Sequence, residues 1–387
     1  MTMTEANEAL MSQLMKHLPT MESFGLHAGG AANATQLRET AQFGDDPGQL
    51  RMLSFVPENL GRGAPLVVAL HGCTQTAAEY DRGTGWSNLA DRYGFAVLLP
   101  EQRRGNNPNV CFDWFQPEDI KRGEGEVASI AAMVRNMVAE HGLDPKRIFV
   151  TGLSAGGAMT AALLATYPEL FAGGAIIAGL PYGSAHNVKE ALGTMSHARL
   201  RQPREWGDLV RAAAPRPPGG RYPRVAIWQG TADHTVSPAN AGQLQRQWGD
   251  VHGIEGLPGV ADTVDGVPHH AWRDAEGRVV LETYSVPGLG HAVPVNPSAA
   301  DPDARCGQAG GYFSASGISS SWQIASSWGL TSQRRATTQG ARPAADTARA
   351  EAPRGGAGQW QGMTAKITDP ASVIGRSLRA AGLLGER

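Results

Sequence analysis

Ser154 stands in the run Ile148-Phe149-Val150-Thr151-Gly152-Leu153-Ser154-Ala155-Gly156-Gly157, where a short apolar stretch ends in Gly-x-Ser-x-Gly and passes into an alanine-rich helical pattern. This is the sequence form of a nucleophile elbow, a strand-to-helix turn that holds a serine exposed and strained. Such a turn leaves no room for side chains at 152 and 156, and glycine tolerates backbone angles that other residues avoid. Backbone N–H groups at the start of the following helix would face a developing oxyanion.

A serine hydroxyl is a poor nucleophile at neutral pH, so it needs a base, and the base needs an acid to fix its tautomer. Asp233 follows the apolar run Val225-Ala226-Ile227-Trp228 at a strand end. His291 lies on a glycine-bearing loop after another strand, Val279 to Tyr284. The order Ser, Asp, His is the one that accompanies an elbow of this kind. Four other histidines compete for the role of base. His71 precedes the serine, His234 adjoins Asp233, and His269 and His270 come before the last strand pair. The oxyanion requires two donors: the N–H of Ala155, and the N–H of Cys73 in the loop His71-Gly72-Cys73-Thr74-Gln75 after the early strand Leu66-Val67-Val68-Ala69-Leu70.

The elements that must carry these residues show a consistent rhythm. Continuous apolar runs at Leu66 to Leu70, Phe95 to Leu99, Ile148 to Val150, Gly174 to Ala178 and Val225 to Trp228 predict strands buried on both faces. Helical patterns over Trp86 to Tyr93, Val127 to His141 and Ala155 to Tyr167 lie between them. Leu50 to Val56 partly alternates like an outer strand, two strand-like stretches flank the turn at Asp274 to Gly277, and Ile318 to Leu330 reads as a closing helix. The pattern predicts an α/β fold with a mostly parallel sheet covered on both faces. The catalytic domain spans 48–330, with an Arg-rich insertion at about 181–223 expected to cap the strand ends. Residues 1–47 read as a helical extension. Residues 331–387 read as a flexible tail with a terminal helix near Ser372 to Leu384.

The composition is that of an ordinary globular enzyme. The 387 residues are 41% hydrophobic and 18% charged, with a formal net charge of −2, which supplies no basic surface for nucleic acid. No run reaches the ~20 apolar residues of a membrane span, and the first twenty residues lack the pattern of a secretory signal. A cytoplasmic location is therefore expected. Cys73, Cys111 and Cys306 make too low and odd a count for a disulfide framework and leave three pairings open. No metal or cofactor is called for, and the oligomeric state is unspecified.

These motifs, together with Val110-Cys111-Phe112-Asp113-Trp114-Phe115 and Gly230-Thr231-Ala232-Asp233-His234-Thr235-Val236, resemble the polyhydroxybutyrate (PHB) depolymerase family of esterases. That family also includes feruloyl and acetyl-xylan esterases. The resemblance covers about Leu50 to Leu330. It implies an α/β-hydrolase fold, the triad Ser154, Asp233 and His291, an oxyanion hole near Cys73, and a Cys73–Cys111 bridge. Ala292 stands where many members carry Trp after the histidine. The expectation is a serine esterase acting through an acyl-enzyme on hydroxyalkanoate esters, oligomers or polyester. A feruloyl or acetyl-xylan esterase is the alternative, and a non-catalytic binding protein is disfavoured by the intact set. Trp114 and Trp272 are cleft candidates.

Overall fold

The computed structural model describes residues 37–332, Arg216 apart. Its centre is a ten-stranded sheet in the order β1-β2-β4-β3-β5-β6-β7-β10-β9-β8. The strands are β1 (Arg38–Thr40), β2 (Arg51–Phe55), β3 (Leu66–Leu70), β4 (Ala96–Glu101), β5 (Ile148–Leu153), β6 (Gly173–Ile177), β7 (Arg224–Gly230), β8 (Val260–Val264), β9 (Val267–Arg273) and β10 (Val279–Val286). From β4 to β10 the neighbours run parallel; β1, β2, β9 and β8 join antiparallel at the two sides. This is the α/β-hydrolase arrangement expected from the sequence, and it explains why β3, with all five residues buried, reads as one apolar run.

Successive side chains of β3 point to opposite faces and divide the core in two. Leu66, Val68 and Leu70 join one apolar cluster with Ile130 and Val134 of α3 (Gly125–His141), Leu163 of α4 (Ala155–Thr166) and Leu244 of α7 (Ala239–Val251). Val67 and Ala69 join the other with Tyr80 of α1 (Ala77–Thr84), Leu89 of α2 (Trp86–Tyr93) and Ile324 of α8 (Ser320–Ser327). Thr76 caps α1: its hydroxyl accepts from Glu79 N–H while the Glu79 carboxylate accepts from Thr76 N–H, so two otherwise orphaned donors are satisfied. Every residue of α4 is buried, which suits its alanine-rich composition and central place behind the elbow.

Several boundaries differ from expectation. The edge strand β1 falls inside the segment read as an extension and pairs with β2. The insertion after β6 holds α5 (Val188–Ser196) and α6 (Pro203–Ala213). Only part of it meets the strand ends: Met195 C=O accepts Ser237 N–H in the loop after β7. By contrast α6 lies against α7, with Trp206 buried and its indole N–H donating to Gln243 Oε1 at 2.9 Å. A short parallel pair, β11 (Val293–Val295) and β12 (Phe313–Ala315), follows β10. Among the described residues no helix is long and apolar enough to cross a membrane. The N-terminal helix and the terminal helix near 372–384 lie outside the described residues.

Candidate active site

At the end of β5, Ser154 adopts φ 58° and ψ −116°, a conformation a side-chain-bearing residue reaches only under strain. Its N–H donates to Ile177 C=O at 2.9 Å, which ties the turn to β6. The glycines are fixed by contact. A Cβ at Gly152 would lie 2.5 Å from the Gly156 carbonyl carbon, and one at Gly156 would lie 2.4 Å from Leu70 O and 2.5 Å from His71 O. The elbow therefore packs directly on the loop that leaves β3.

Asp233 and His291 come from loops at the ends of β7 and β10, adjacent parallel strands. The two loops are sewn together: Thr231 N–H donates to Val286 C=O and Ala232 N–H to Leu289 C=O, each at 3.0 Å. A Cβ on Gly230 would meet Leu289 O at 2.2 Å, so only glycine permits this approach. His291 Nδ1 lies 2.8 Å from Asp233 Oδ2, with both side chains almost wholly buried. The other Asp233 oxygen accepts the N–H groups of Thr235 and Val236, each at 2.9 Å, and Gln229 Nε2 donates to Oδ2 at 3.1 Å. Burial alone would raise this carboxyl, but the His291 hydrogen bond and charge and the two backbone donors outweigh it and hold it below the usual carboxylate range. Among the described residues no hydrogen bond joins Ser154 to His291.

The competing histidines sit elsewhere. His71 is fully buried, His269 is clamped between Asp262 and Glu282 on the β8–β9–β10 side of the sheet, and His234 and His270 face solvent. The N–H groups of Cys73 and Ala155 donate to no backbone carbonyl among the described residues. Cys73 is disulfide-bonded to Cys111, and Thr74, at φ 64°, donates its N–H to Asn109 C=O at 2.7 Å. The resemblance implied this bridge; Cys306 is left as a buried thiol.

The two tryptophans named as cleft candidates lie on different elements. Trp114 is buried in the core, edge-on to Phe115. Trp272 pairs with Leu281, five residues before the C-terminal end of β10, and its indole N–H donates to Leu257 C=O. That position is ~17 Å of strand away from the His291 loop. An aromatic that the sequence reading did not single out lies nearer: Tyr312 C=O accepts Val293 N–H at 2.8 Å, and its hydroxyl accepts from Thr74 Oγ1 at 3.5 Å. A second unread feature is a group of three carboxyls, Asp113, Asp119 and Glu126, whose oxygens lie within 4.8 Å of one another. Burial pushes Asp113 up to about 7, Asp119 to about 6 and Glu126 well above its usual value; the Asp119 charge adds to the rise at Asp113, the Asp113 and Asp119 charges to that at Glu126, and the Glu118 charge to that at Asp119.

A parallel sheet with a serine elbow at the end of β5 and an acid–histidine pair on the loops after β7 and β10 defines an ester hydrolase of the α/β-hydrolase type. The family model described as esterase PHB depolymerase matches residues 52–263, and the chain belongs to that family. It is 45% identical over 295 residues to poly(3-hydroxyalkanoate) depolymerase C of Paucimonas lemoignei, covering 76% of this chain and 70% of the relative. It is 35% identical to an acetylxylan esterase of Coprinopsis cinerea, covering 67% of this chain and 70% of the relative. Among solved structures, the acetyl xylan esterase from Aspergillus awamori superposes with a TM-score of 0.62 at 29% identity, covering 67% of this chain and 96% of that one. The protein is a carboxylic ester hydrolase.

Proposed function

We propose that the chain hydrolyses 3-hydroxyalkanoate esters, from oligomers to accessible polyester, through an acyl-enzyme on Ser154. The observation that carries this is the Asp233–His291 pair at 2.8 Å on the loops after β7 and β10, at the same edge of the parallel sheet as the strained serine after β5. Asp233 accepts from Nδ1, which leaves Nε2 as the base. Ser154 Oγ attacks the ester carbonyl while His291 takes its proton; the C–O bond to the alcohol then breaks, and the alcohol leaves with that proton. Water, deprotonated by the same imidazole, attacks the acyl carbon and releases the acid and the serine. The N–H groups of Cys73 and Ala155 stabilise the oxyanion in both halves.

The polyester assignment is supported by the 45% identity to a poly(3-hydroxyalkanoate) depolymerase, against 35% for the acetylxylan esterase, which favours acetylated or feruloylated polysaccharide as the second reading. We also read the Cys73–Cys111 bond as favouring an oxidising compartment over the cytoplasm. The test is a panel of 3-hydroxybutyrate oligomers, polyester film, acetylated xylan, methyl ferulate and p-nitrophenyl butyrate. The highest kcat/KM among the natural esters should fall on the hydroxybutyrate oligomers. A preference of tenfold or more for methyl ferulate or acetylated xylan would overturn the assignment.

A further inference from the structure

His71 is a buried titratable side chain beside the site that the triad chemistry leaves unused. Its ring Nδ1 lies 2.8 Å from Gly72 O, and its Nε2 lies 3.1 Å from the backbone N of Gln102. A backbone N–H can only donate, so Nε2 must accept; Nδ1 therefore carries the proton and donates to Gly72 O. Burial drives the imidazole below its ordinary range, so this neutral tautomer persists at working pH.

The consequence lies in peptide geometry. Gly72 C=O and Cys73 N–H belong to one planar, trans peptide, and the two groups point in opposite directions. A hydrogen bond that fixes the carbonyl therefore fixes the aim of the N–H. The preceding peptide is held as well, because Gly72 N–H donates to Gln75 Oε1 at 2.8 Å. Both planes flanking the Gly72 Cα are thus held by side chains, and the only backbone bond to Gly72 C=O among the described residues is a long one from Gln75 N–H at 3.4 Å, at a glycine whose own conformational range is wide. The clamp is anchored to the next strand loop. Gln102 gives its N–H to His71 and its side chain to Cys111 C=O at 3.0 Å and to the Glu126 carboxylate, and Cys111 is in turn bridged to Cys73.

We infer that His71 is a positioning residue whose Nδ1–H, by holding Gly72 C=O, aims the Cys73 N–H at the oxyanion. The inference rests on the proposed esterase mechanism, in which that N–H is one of two donors. Loss of the clamp lets the Gly72–Cys73 peptide rotate, so the loss falls on the transition state and leaves ground-state binding largely intact.

The test compares His71→Leu with His71→Asn and His71→Gln. The Asn amide nitrogen stands near the position of Nδ1, and the Gln amide reaches toward that of Nε2. On p-nitrophenyl butyrate, His71→Leu should lose on the order of 100-fold in kcat with KM within a few-fold, the scale of one missing oxyanion donor. Its inhibition constant for a trifluoromethyl ketone, which forms an oxyanion on the serine, should rise in parallel. His71→Asn should recover about tenfold of the loss, by restoring the shorter of the two hydrogen bonds to Gly72 C=O, the other being the 3.4 Å bond from Gln75 N–H. A folded His71→Leu within threefold of the wild-type kcat would overturn the inference. Where His71→Leu does not fold, Asn and Gln carry the test: Asn must exceed Gln in kcat by about tenfold, and equality or the reverse order overturns it. Labelling of the wild-type protein by a serine-directed phosphonate separates the two levels. Without an adduct on Ser154 the mechanism itself fails and the inference with it; with an adduct and an indifferent His71, only the inference fails.

Discussion

His291 Nδ1 meets Asp233 Oδ2 at 2.8 Å in a position where the aspartate is closed to solvent and its second oxygen is held by two backbone N–H groups. The acid cannot swing away without breaking those bonds, so the ring plane of His291 is set by the loop after β7 as much as by its own.

Asp233→Asn follows directly. An amide in this place presents a donor or a weak acceptor to Nδ1 and favours the wrong tautomer, so kcat should fall by about 10⁴-fold with little change in KM. The sign of the pH effect on stability is also fixed. Asp233 lies below its unfolded value, so its stabilising contribution is present above the ordinary carboxylate range and is lost as pH falls through the lowered folded value. Thermal melts of wild type and Asp233→Asn should therefore converge as pH falls below the ordinary carboxylate range. A constant gap from pH 7 to pH 2 would contradict this.

The buried acids predict the opposite slope. Asp113, raised to about 7 chiefly by burial, binds its proton more tightly in the folded state than in the unfolded chain. Below the unfolded value, ~4, both states are protonated and nothing is lost; as pH rises to the folded value, the unfolded state gains up to a few kcal/mol. Asp113→Asn preserves the shape of the Asn107 contact and removes the charge. Its melting temperature should change less than that of wild type between pH 5 and pH 8, and equal slopes would show that these acids do not titrate in that window.

The Cys73–Cys111 bond spans 38 residues, for which chain entropy gives roughly 4 kcal/mol. Cys111→Ser should lower the melting temperature by about 10 °C. Because the bond holds the oxyanion loop, kcat should fall more than KM rises. An unchanged kcat in the folded, reduced protein would show that Thr74, through Asn109, holds the loop alone.

Tyr312 reaches from Val293, two residues past His291, to Thr74, beside Cys73. A half-buried ring across that gap borders any ester bound between the two loops. Tyr312→Ala should shift the kcat/KM ratio between p-nitrophenyl octanoate and acetate by about tenfold or more, whereas Tyr312→Phe should leave it within a few-fold. Equal ratios in all three proteins would place the ring outside the cleft.

Much of this was legible in the chain because the signals were local. The parallel strands are buried on both faces and read as apolar runs, and the order Ser154, Asp233, His291 follows from strand ends alone. Elements escaped where side chains do unusual work. The inner face of α7 carries Asn240, Gln243 and Gln247, buried and hydrogen-bonded, so its apolar period is broken. Edge strand β8 exposes four of its five residues and has no buried face to announce it. At the site, His71 could be set aside as a base from its place before the serine. Its clamp was invisible because one partner, Gln102, lies 31 residues away. For Trp114 and Trp272 the chain gives no neighbours; the edge-on contact with Phe115 and the register with Leu281 come from the fold.

Mass spectrometry of the intact and digested protein after reaction with a fluorophosphonate shows whether Ser154 is the nucleophile. One adduct per chain should form, on the peptide containing Ser154, with hydrolysis of p-nitrophenyl butyrate lost in proportion, and Ser154→Ala should show neither adduct nor turnover. Labelling elsewhere with parallel loss of activity, or turnover retained by Ser154→Ala, would contradict it.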